Sequence, residues 1–259
     1  MDYIEEIIPD ALSCLSISDR QLYYDTIGNN GVWNYLESRG VALKGHFVFT
    51  GGGHGDVYIN IRDLNTVQLL SPVAMQIAWE ARKFEFDAIV GTPHGADTLT
   101  VLIAYYYTQF TMKKIEILKP LKKSDELVWY KDHGERVKGL RILQIEDLIN
   151  TAKSLRETAT FISDSGGRQV GFIAVCNRIS DKNPGLKALQ KELVVEYAHV
   201  LTDVVAANYI VDIANDPRKQ CPGCAEGKKL NMRVGHGKKF LDSIEKTYPL
   251  LYKSLTNNQ

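Results

Sequence analysis

The feature that most constrains this chain is a change of hydrophobic period. From Asp87 to Tyr197, short apolar runs alternate with stretches whose apolar residues recur at helical spacing. Asp87-Ala88-Ile89-Val90 predicts a strand, Ala96 to Phe110 a helix and Lys113 to Leu118 a strand. Arg141 to Ile145 then predicts a strand, Thr151 to Asp164 a helix, Gln169 to Cys176 a strand, Gly185 to Lys191 a short helix and Leu193 to Tyr197 a strand. Each strand is a near-continuous apolar run, so both of its faces need cover, and the strand-helix-strand order supplies that cover in a parallel sheet. The predicted fold class is therefore α/β, a central parallel sheet flanked by helices. Open sheets of this kind bind ligands in the loops at the carboxyl ends of their strands.

The flanks read differently. Residues 1–83 predict an N-terminal helical segment and a small hood. Tyr23, Tyr24, Trp33, Tyr35 and Leu36 are packing residues there, and Gly40 is a stop signal. In the hood, the β-prone pieces His46 to Thr50 and Asp56 to Asn60 flank the glycine loop Gly51 to Gly55. A helix follows from about Ser71 to Lys83, with Pro72 in its first turn. Residues 84–206 form the predicted α/β core, and residues 207–259 a basic tail with a CxxC and a helix. That tail holds nine bases and three acids from residue 217 onward, against two bases and seven acids in residues 1–43; complementary solvated surfaces account for the asymmetry.

Thirty-one Lys+Arg balance 31 Asp+Glu, which argues against a nucleic-acid partner, since such binders carry a basic surplus. No apolar run reaches the ~18–20 residues that cross a bilayer, and Met1 to Asp10 is acidic where a signal peptide is basic. The expectation is a cytoplasmic protein with no membrane partner. Of the four cysteines, Cys14 and Cys176 lie in mainly apolar stretches and Cys221 and Cys224 form one CxxC. A closed zinc site needs four ligands. His236 and His199 are the histidines considered to complete it, but the expectation is structural or surface cysteines and no metal ligands.

The segment Arg141 to Ser154 is the richest in chemistry. An apolar strand runs into the adjacent carboxylates Glu146 and Asp147, and the small polar residues Asn150, Thr151, Ala152, Lys153 and Ser154 then open an amphipathic helix. Free backbone N–H groups at such a helix start suit a phosphate, and carboxylates just before it suit the hydroxyls of an attached sugar. A capped helix behind a core strand, with both acids merely solvated, is the structural alternative. No Lys-Ser/Thr follows the glycine loop and no GxGxxG occurs, so ATP-loop and dinucleotide readings are weak.

The run Ile142 to Ser154 resembles the phosphoribosyl pyrophosphate (PRPP) signature of type I phosphoribosyltransferases. Lys131-Asp132-His133-Gly134-Glu135, a dozen residues upstream, resembles the end of the mobile catalytic loop of the orotate branch of that family. His54, Asp56, Tyr58 and Asn60 resemble its base-binding hood, and Val90 to Ala96 sits where the family places its pyrophosphate loop. Cys221 to Cys224 with Val234 to Phe240 resembles the tail of a less characterised orotate-like subgroup.

The resemblance, spanning about residues 45–240, implies an orotate phosphoribosyltransferase of pyrimidine biosynthesis. Its substrates would be PRPP and orotate or a related base, its cofactor Mg²⁺, and its assembly a homodimer. It implies that Asn150 to Ser154 hold the 5-phosphate, Glu146 and Asp147 the ribose hydroxyls, Thr92, His94 and Gly95 the pyrophosphate, and His54, Asp56, Tyr58 and Asn60 the base. Lys131 would close over the leaving pyrophosphate, with His133 as hydrogen-bond donor or acid. The chain departs from the pattern in four places. Leu127 to Tyr130 replace a basic pair, Gly51 and Gly55 replace hood serines, Asn150 replaces a threonine, and Ala152 replaces a glycine. Altered affinity, a different base, or PRPP or nucleotide binding for regulation without turnover are the outcomes these departures fit.

Overall fold

The structure is a computed structural model that describes residues 16–23, 31–49, 52–124, 126–179, 183–206 and 208–256. Cys14, Tyr24 and Gly51 lie outside the described residues. In chain order the elements begin with helices α1 (Ile17–Tyr23) and α2 (Gly31–Ser38), then strands β1 (Ala42–Val48) and β2 (His54–Ile59). Helix α3 (Val67–Ala81), strand β3 (Ala88–Gly91), helix α4 (Asp97–Thr111) and strands β4 (Glu116–Leu118), β5 (Pro120–Lys123) and β6 (Glu126–Trp129) follow. Next come helix α5 (His133–Arg136), strand β7 (Arg141–Ile149), helix α6 (Lys153–Asp164), strand β8 (Arg168–Ile179), helix α7 (Leu186–Glu192) and strand β9 (Tyr197–Val205). Helices α8 (Pro222–Ala225), α9 (Gly237–Ile244) and α10 (Pro249–Thr256) complete the described chain.

The contacts divide the chain into two compact units, residues 1–36 with 61–204 and residues 37–60 with 205–259. This partition differs from the sequence-based one because the two halves of the N-terminal segment bury their apolar residues in different places. Helix α3 packs in the first unit, where Tyr23 donates to Gln76 at 2.5 Å and Tyr35 to the Leu69 carbonyl at 2.6 Å. The β1–β2 hairpin instead bridges to the C-terminal segment, through His46 to Leu230 and His54 to Tyr209.

The first unit is built on a five-stranded sheet of order β4-β3-β7-β8-β9, in which β4, β3, β7 and β8 run parallel. Its apolar strands are buried as their composition demands: Ile89, Val90, Ile142, Leu143, Ile145, Phe172 and Ile173 are all inaccessible. Helix α3 starts earlier than expected because Thr66 caps it, its side chain accepting from the Leu69 N–H, and Pro72 therefore lies inside the helix. Strand β7 also outruns its prediction, continuing through both carboxylates to Ile149, because β8 offers it partners as far as Asn177. The last strand is displaced from the predicted residues 193–197 to 197–205.

At the start of the central pair, the Asp87 carboxylate receives both Nε and Nη2 of Arg141 at 3.1 and 2.8 Å, and the Arg141 backbone N–H at 2.9 Å. The Arg141 hydrogen bonds hold the Asp87 carboxyl below its ordinary pKa.

The second unit carries the antiparallel β1–β2 hairpin, whose register shifts between Lys44 and Phe47, and an apolar cluster of Val48, Leu230, Phe240, Leu241, Ile244, Leu251 and Leu255.

A Cβ on Gly171 in β8 would lie 2.9 Å from the Phe84 ring and 3.0 Å from the Tyr197 carbonyl. Phe84 is itself stacked on Tyr197 at 4.7 Å, so neither neighbour can retreat freely. Gly171→Ala is expected to cost about 1–3 kcal/mol by overpacking, read from the midpoint of urea unfolding.

Candidate active site

The site in the first unit lies at the carboxyl ends of two adjacent parallel strands. Strands β3 and β7 pair with Gly91 opposite Ile145, so the loop that follows Gly91 and the end of β7 leave the sheet side by side. The Thr92 N–H bonds the Ile145 carbonyl at 2.9 Å, and the chain then turns through His94, which adopts a left-handed φ of 67°. That turn brings Gly95 against Asp147: a Cβ at Gly95 would fall 2.5 Å from the carboxylate oxygen. Any side chain at this position would displace the Asp147 carboxylate. His94 is exposed at the tip of the turn, and Thr92 is buried.

Gln144, fully buried in β7, ties the two loops together. Its side-chain N–H₂ reaches the Thr92 hydroxyl at 3.1 Å and the Leu155 carbonyl at 3.3 Å, while its oxygen accepts from Gln169 at 2.8 Å. The sequence reading passed over this residue. Its signal was a lone amide inside the apolar run Ile142-Leu143-Gln144-Ile145, where an interior polar group must find partners.

The acidic pair divides its labour. Asp147 is half-buried and accepts the Leu148 N–H at 2.8 Å, whereas Glu146 is only 3% exposed and accepts the Asp147 N–H at 3.2 Å. Burial, first, and the neighbouring Asp147 charge, second, push the Glu146 pKa well above the ordinary carboxylate value. Asp147 is thus the carboxylate that faces outward, with Glu146 behind it.

After Ile149 the chain turns through Asn150 and Thr151 into α6, which begins without a side-chain cap. Thr151, Lys153 and Ser154 are exposed, and Ala152 is buried at a φ of 61°. The left-handed backbone explains the small residue here; alanine occupies it at a cost of roughly 1–2 kcal/mol that glycine avoids. Helix α4 likewise starts at Ala96 without a side-chain cap. Two helix N-termini at neighbouring strand ends thus present backbone N–H groups that no side chain caps, at the positive ends of their helix dipoles.

Lys131 and His133 lie just after the β5–β6 hairpin. Trp129 anchors that hairpin, stacking on Phe161 of α6 at 4.7 Å and donating to the Ser165 hydroxyl at 2.7 Å. Lys131 is exposed, with its ammonium 5.1 Å from the Tyr130 ring. His133 Nδ1 accepts the Lys119 backbone N–H at 2.8 Å, which leaves the proton of the neutral ring on Nε2. Burial and then the Arg136 charge lower its pKa, so at neutral pH it is an N–H donor rather than an imidazolium acid.

The hood residues belong to the second unit and separate in character. Asp56 is exposed, and Tyr58 and Asn60 are half-buried on the same hairpin. His54 is a correction: it is completely buried among His46, Cys221 and Cys224, which removes it from any substrate-facing role. The histidines considered as partners of the cysteines do not stand beside them. His199 sits in the first unit, 3.8 Å from Glu80, and His236 precedes helix α9, its backbone N–H bonded to the Val48 carbonyl. His46 and His54 take their place because hairpin pairing, not sequence proximity, brings them to the CxxC.

No family model matches the sequence. Two curated proteins named orotate phosphoribosyltransferase are similar to it, one from Campylobacter curvus, 31% identical over 142 residues, and one from Pyrococcus abyssi, 32% identical over 140 residues. These alignments span 54% and 52% of this chain and 67% and 72% of the two relatives. Among solved structures, the orotate phosphoribosyltransferase of Francisella tularensis superposes with a TM-score of 0.52 at 16% identity, covering 66% of this chain and 84% of its own. That of Aeropyrum pernix superposes at 0.51 with 19% identity, covering 65% and 92%. These superpositions show a shared fold.

The raised pKa of Glu146 carries a sign. Its proton is held more tightly in the folded chain, so ionisation costs stability as pH rises above the ordinary carboxylate value of about 4.3, and costs none below it. Glu146→Gln is therefore expected to raise the unfolding midpoint at pH 8 by about 2–4 °C, the shift produced by roughly 1 kcal/mol in a chain of this size. The two proteins should converge near pH 4, measured by differential scanning calorimetry.

Proposed function

The chain belongs to the orotate phosphoribosyltransferase family, and from that premise we propose that it transfers ribose 5-phosphate from PRPP to orotate, giving orotidine 5'-monophosphate and pyrophosphate. The observation that carries this reading is the pair of uncapped helix starts at the ends of β3 and β7, with the Asp147 carboxylate against the backbone of Gly95. PRPP presents two phosphate groups separated by a ribose diol, and the site offers an anion grip, an outward carboxylate and a second anion grip in the matching order.

In this mechanism Asn150, Thr151, Ala152, Lys153 and Ser154 hold the 5-phosphate through N–H groups and hydroxyls at the start of α6. Thr92, His94 and Gly95 hold the pyrophosphate at the start of α4. Asp147 accepts from the ribose hydroxyls and its charge favours the oxocarbenium-like ring that develops as the C1–O bond to pyrophosphate breaks. Glu146 supports it from behind, fixing the Asp147 backbone. Lys131 contributes positive charge toward the leaving pyrophosphate, and His133 donates a hydrogen bond from Nε2 to an oxygen that is gaining charge. Asp56, Tyr58 and Asn60 are the hood positions that the family resemblance assigns to the base. Closure of the segment around Lys131 keeps water from the activated ribose.

Mg²⁺ fits this donor set. The ion prefers phosphate oxygens and retained water and asks little of the protein, and Asp147 is a hard, outward-facing oxygen donor able to contribute. When bound, it neutralises charge on the pyrophosphate. A cytoplasmic homodimer remains the assembly we propose, on the strength of the family. Among the described residues no helix is long and apolar enough to cross a membrane.

Pyrophosphate release from PRPP should require orotate and should be absent with adenine, guanine, uracil or nicotinate; silence with every base overturns the enzymatic reading. Asp147→Asn should lower kcat/KM by about 10²-fold or more while the fold is retained. Because burial lowers the His133 pKa, the neutral donor persists through the neutral range. Any acid limb in kcat from this residue should fall below the ordinary histidine pKa and vanish in His133→Asn.

A further inference from the structure

We propose that His46, His54, Cys221 and Cys224 form a closed, tetrahedral Cys₂His₂ site for a soft divalent cation, with Zn²⁺ as the occupant. All four side chains belong to the second unit and are between 0 and 3% exposed. One nitrogen or sulfur atom from each lies within 4.8 Å of all the others.

The spacing matches the ion. Zn–N bonds of about 2.05 Å and Zn–S bonds of about 2.3 Å at tetrahedral angles place two nitrogens about 3.3 Å apart and a nitrogen and a sulfur about 3.6 Å apart. Here His46 Nε2 is 3.1 Å from His54 Nδ1, 3.4 Å from Cys221 Sγ and 3.7 Å from Cys224 Sγ, and His54 Nδ1 is 3.4 Å from Cys224 Sγ.

The orientations match as well. His46 Nδ1 is 2.7 Å from the Lys228 carbonyl, an acceptor only, so Nδ1 carries the proton and the Nε2 lone pair points into the cluster. A carbonyl fixing the outer nitrogen of a metal-bound imidazole is the usual second support of such a ligand. His54 presents Nδ1 to the cluster, and its own Nε2 is buried without a hydrogen-bond partner. With Nδ1 bound to a metal the neutral ring carries its proton on Nε2, and the bond at Nδ1 offsets the cost of leaving that one N–H without a partner. Its ring is seated edge-on to Phe240 at 4.4 Å.

The backbone is cut to the same purpose. Cys221 precedes the single turn α8, which returns Cys224 to the same side. A Cβ on Gly223, between the two cysteines, would lie 2.9 Å from the His46 ring, so glycine is what allows the imidazole to lie against the turn. The four ligands leave no open position, which assigns the ion a structural role. A unit of roughly 80 residues is at the size where a single apolar core needs a staple, and the cluster lies within the apolar core that Val48, Leu230, Phe240, Ile244, Leu251 and Leu255 build.

The proposal is independent of the transferase reading, and its test reads metal, not activity. The full-length chain, purified without a histidine tag, should contain about one zinc per chain by plasma mass spectrometry. After chelation it should take up one Co²⁺ with the intense visible bands of a tetrahedral thiolate-bound ion. Cys221→Ser/Cys224→Ser should lose both, and His46→Gln should weaken Co²⁺ binding at least tenfold. Because these variants could also unfold, the wild-type chain decides alone. Failure of the metal-free wild type to bind either ion at one equivalent overturns the site, as does a Cys221–Cys224 disulfide in the freshly purified protein by mass and thiol counting. A Co²⁺ spectrum unchanged in the double variant does so too.

Discussion

The pairing of β3 with β7 is the constraint on which the first unit depends. Both strands are buried on both faces, so their register is held by apolar packing along their length and by the Asp87–Arg141 clamp at their start. A slip of one residue would exchange the faces of every side chain and separate Gly95 from Asp147. The site therefore inherits its geometry from a pairing that begins at the Asp87–Arg141 clamp and ends where Gly91 faces Ile145.

That geometry also explains how a chain with no net charge handles a polyanion. In the proposed reading the grip comes from two helix starts whose N–H groups no side chain caps, beside a carboxylate whose neighbour has been made reluctant to ionise. Burial of Glu146 leaves Asp147 as the more exposed carboxylate of the acidic pair. Gln144 supplies the rigidity: two hydrogen bonds donated by one interior amide join the Thr92 loop to the first turn of α6, and a third, accepted from Gln169, holds the amide against β8.

The second unit works on a different principle. Its hairpin is short and its helices are brief, so shape comes from where polar groups can be buried together. His46 and His54 sit on the two strands of the hairpin and Cys221 and Cys224 on one helical turn, and their convergence is the polar counterpart of the apolar cluster around them. The same burial that withdraws His54 from the base sets its Nδ1 3.4 Å from the Cys224 sulfur.

Much of the first unit was legible in the sequence, because its signals are local. Apolar runs at strand length, helical periodicity after them and a small-residue turn behind an acidic pair all fall within a few residues of one another, and they located both loops, the sheet and the helix starts behind the loops. Element ends were less legible: Thr66 and the β8 partners of β7 moved boundaries that propensity had put elsewhere. The division of roles between Glu146 and Asp147 was invisible, since adjacent acids differ only in what covers them. So was the partnership of His46 with Cys221, 175 residues apart. By itself the sequence determined the α/β class and the order of the motifs, because periodicity and turn chemistry act over short spans of chain. The tertiary structure alone decided which carboxylate faces outward, which histidine is buried and which side chains stand round the two cysteines, because burial and convergence are properties of distant segments packed together.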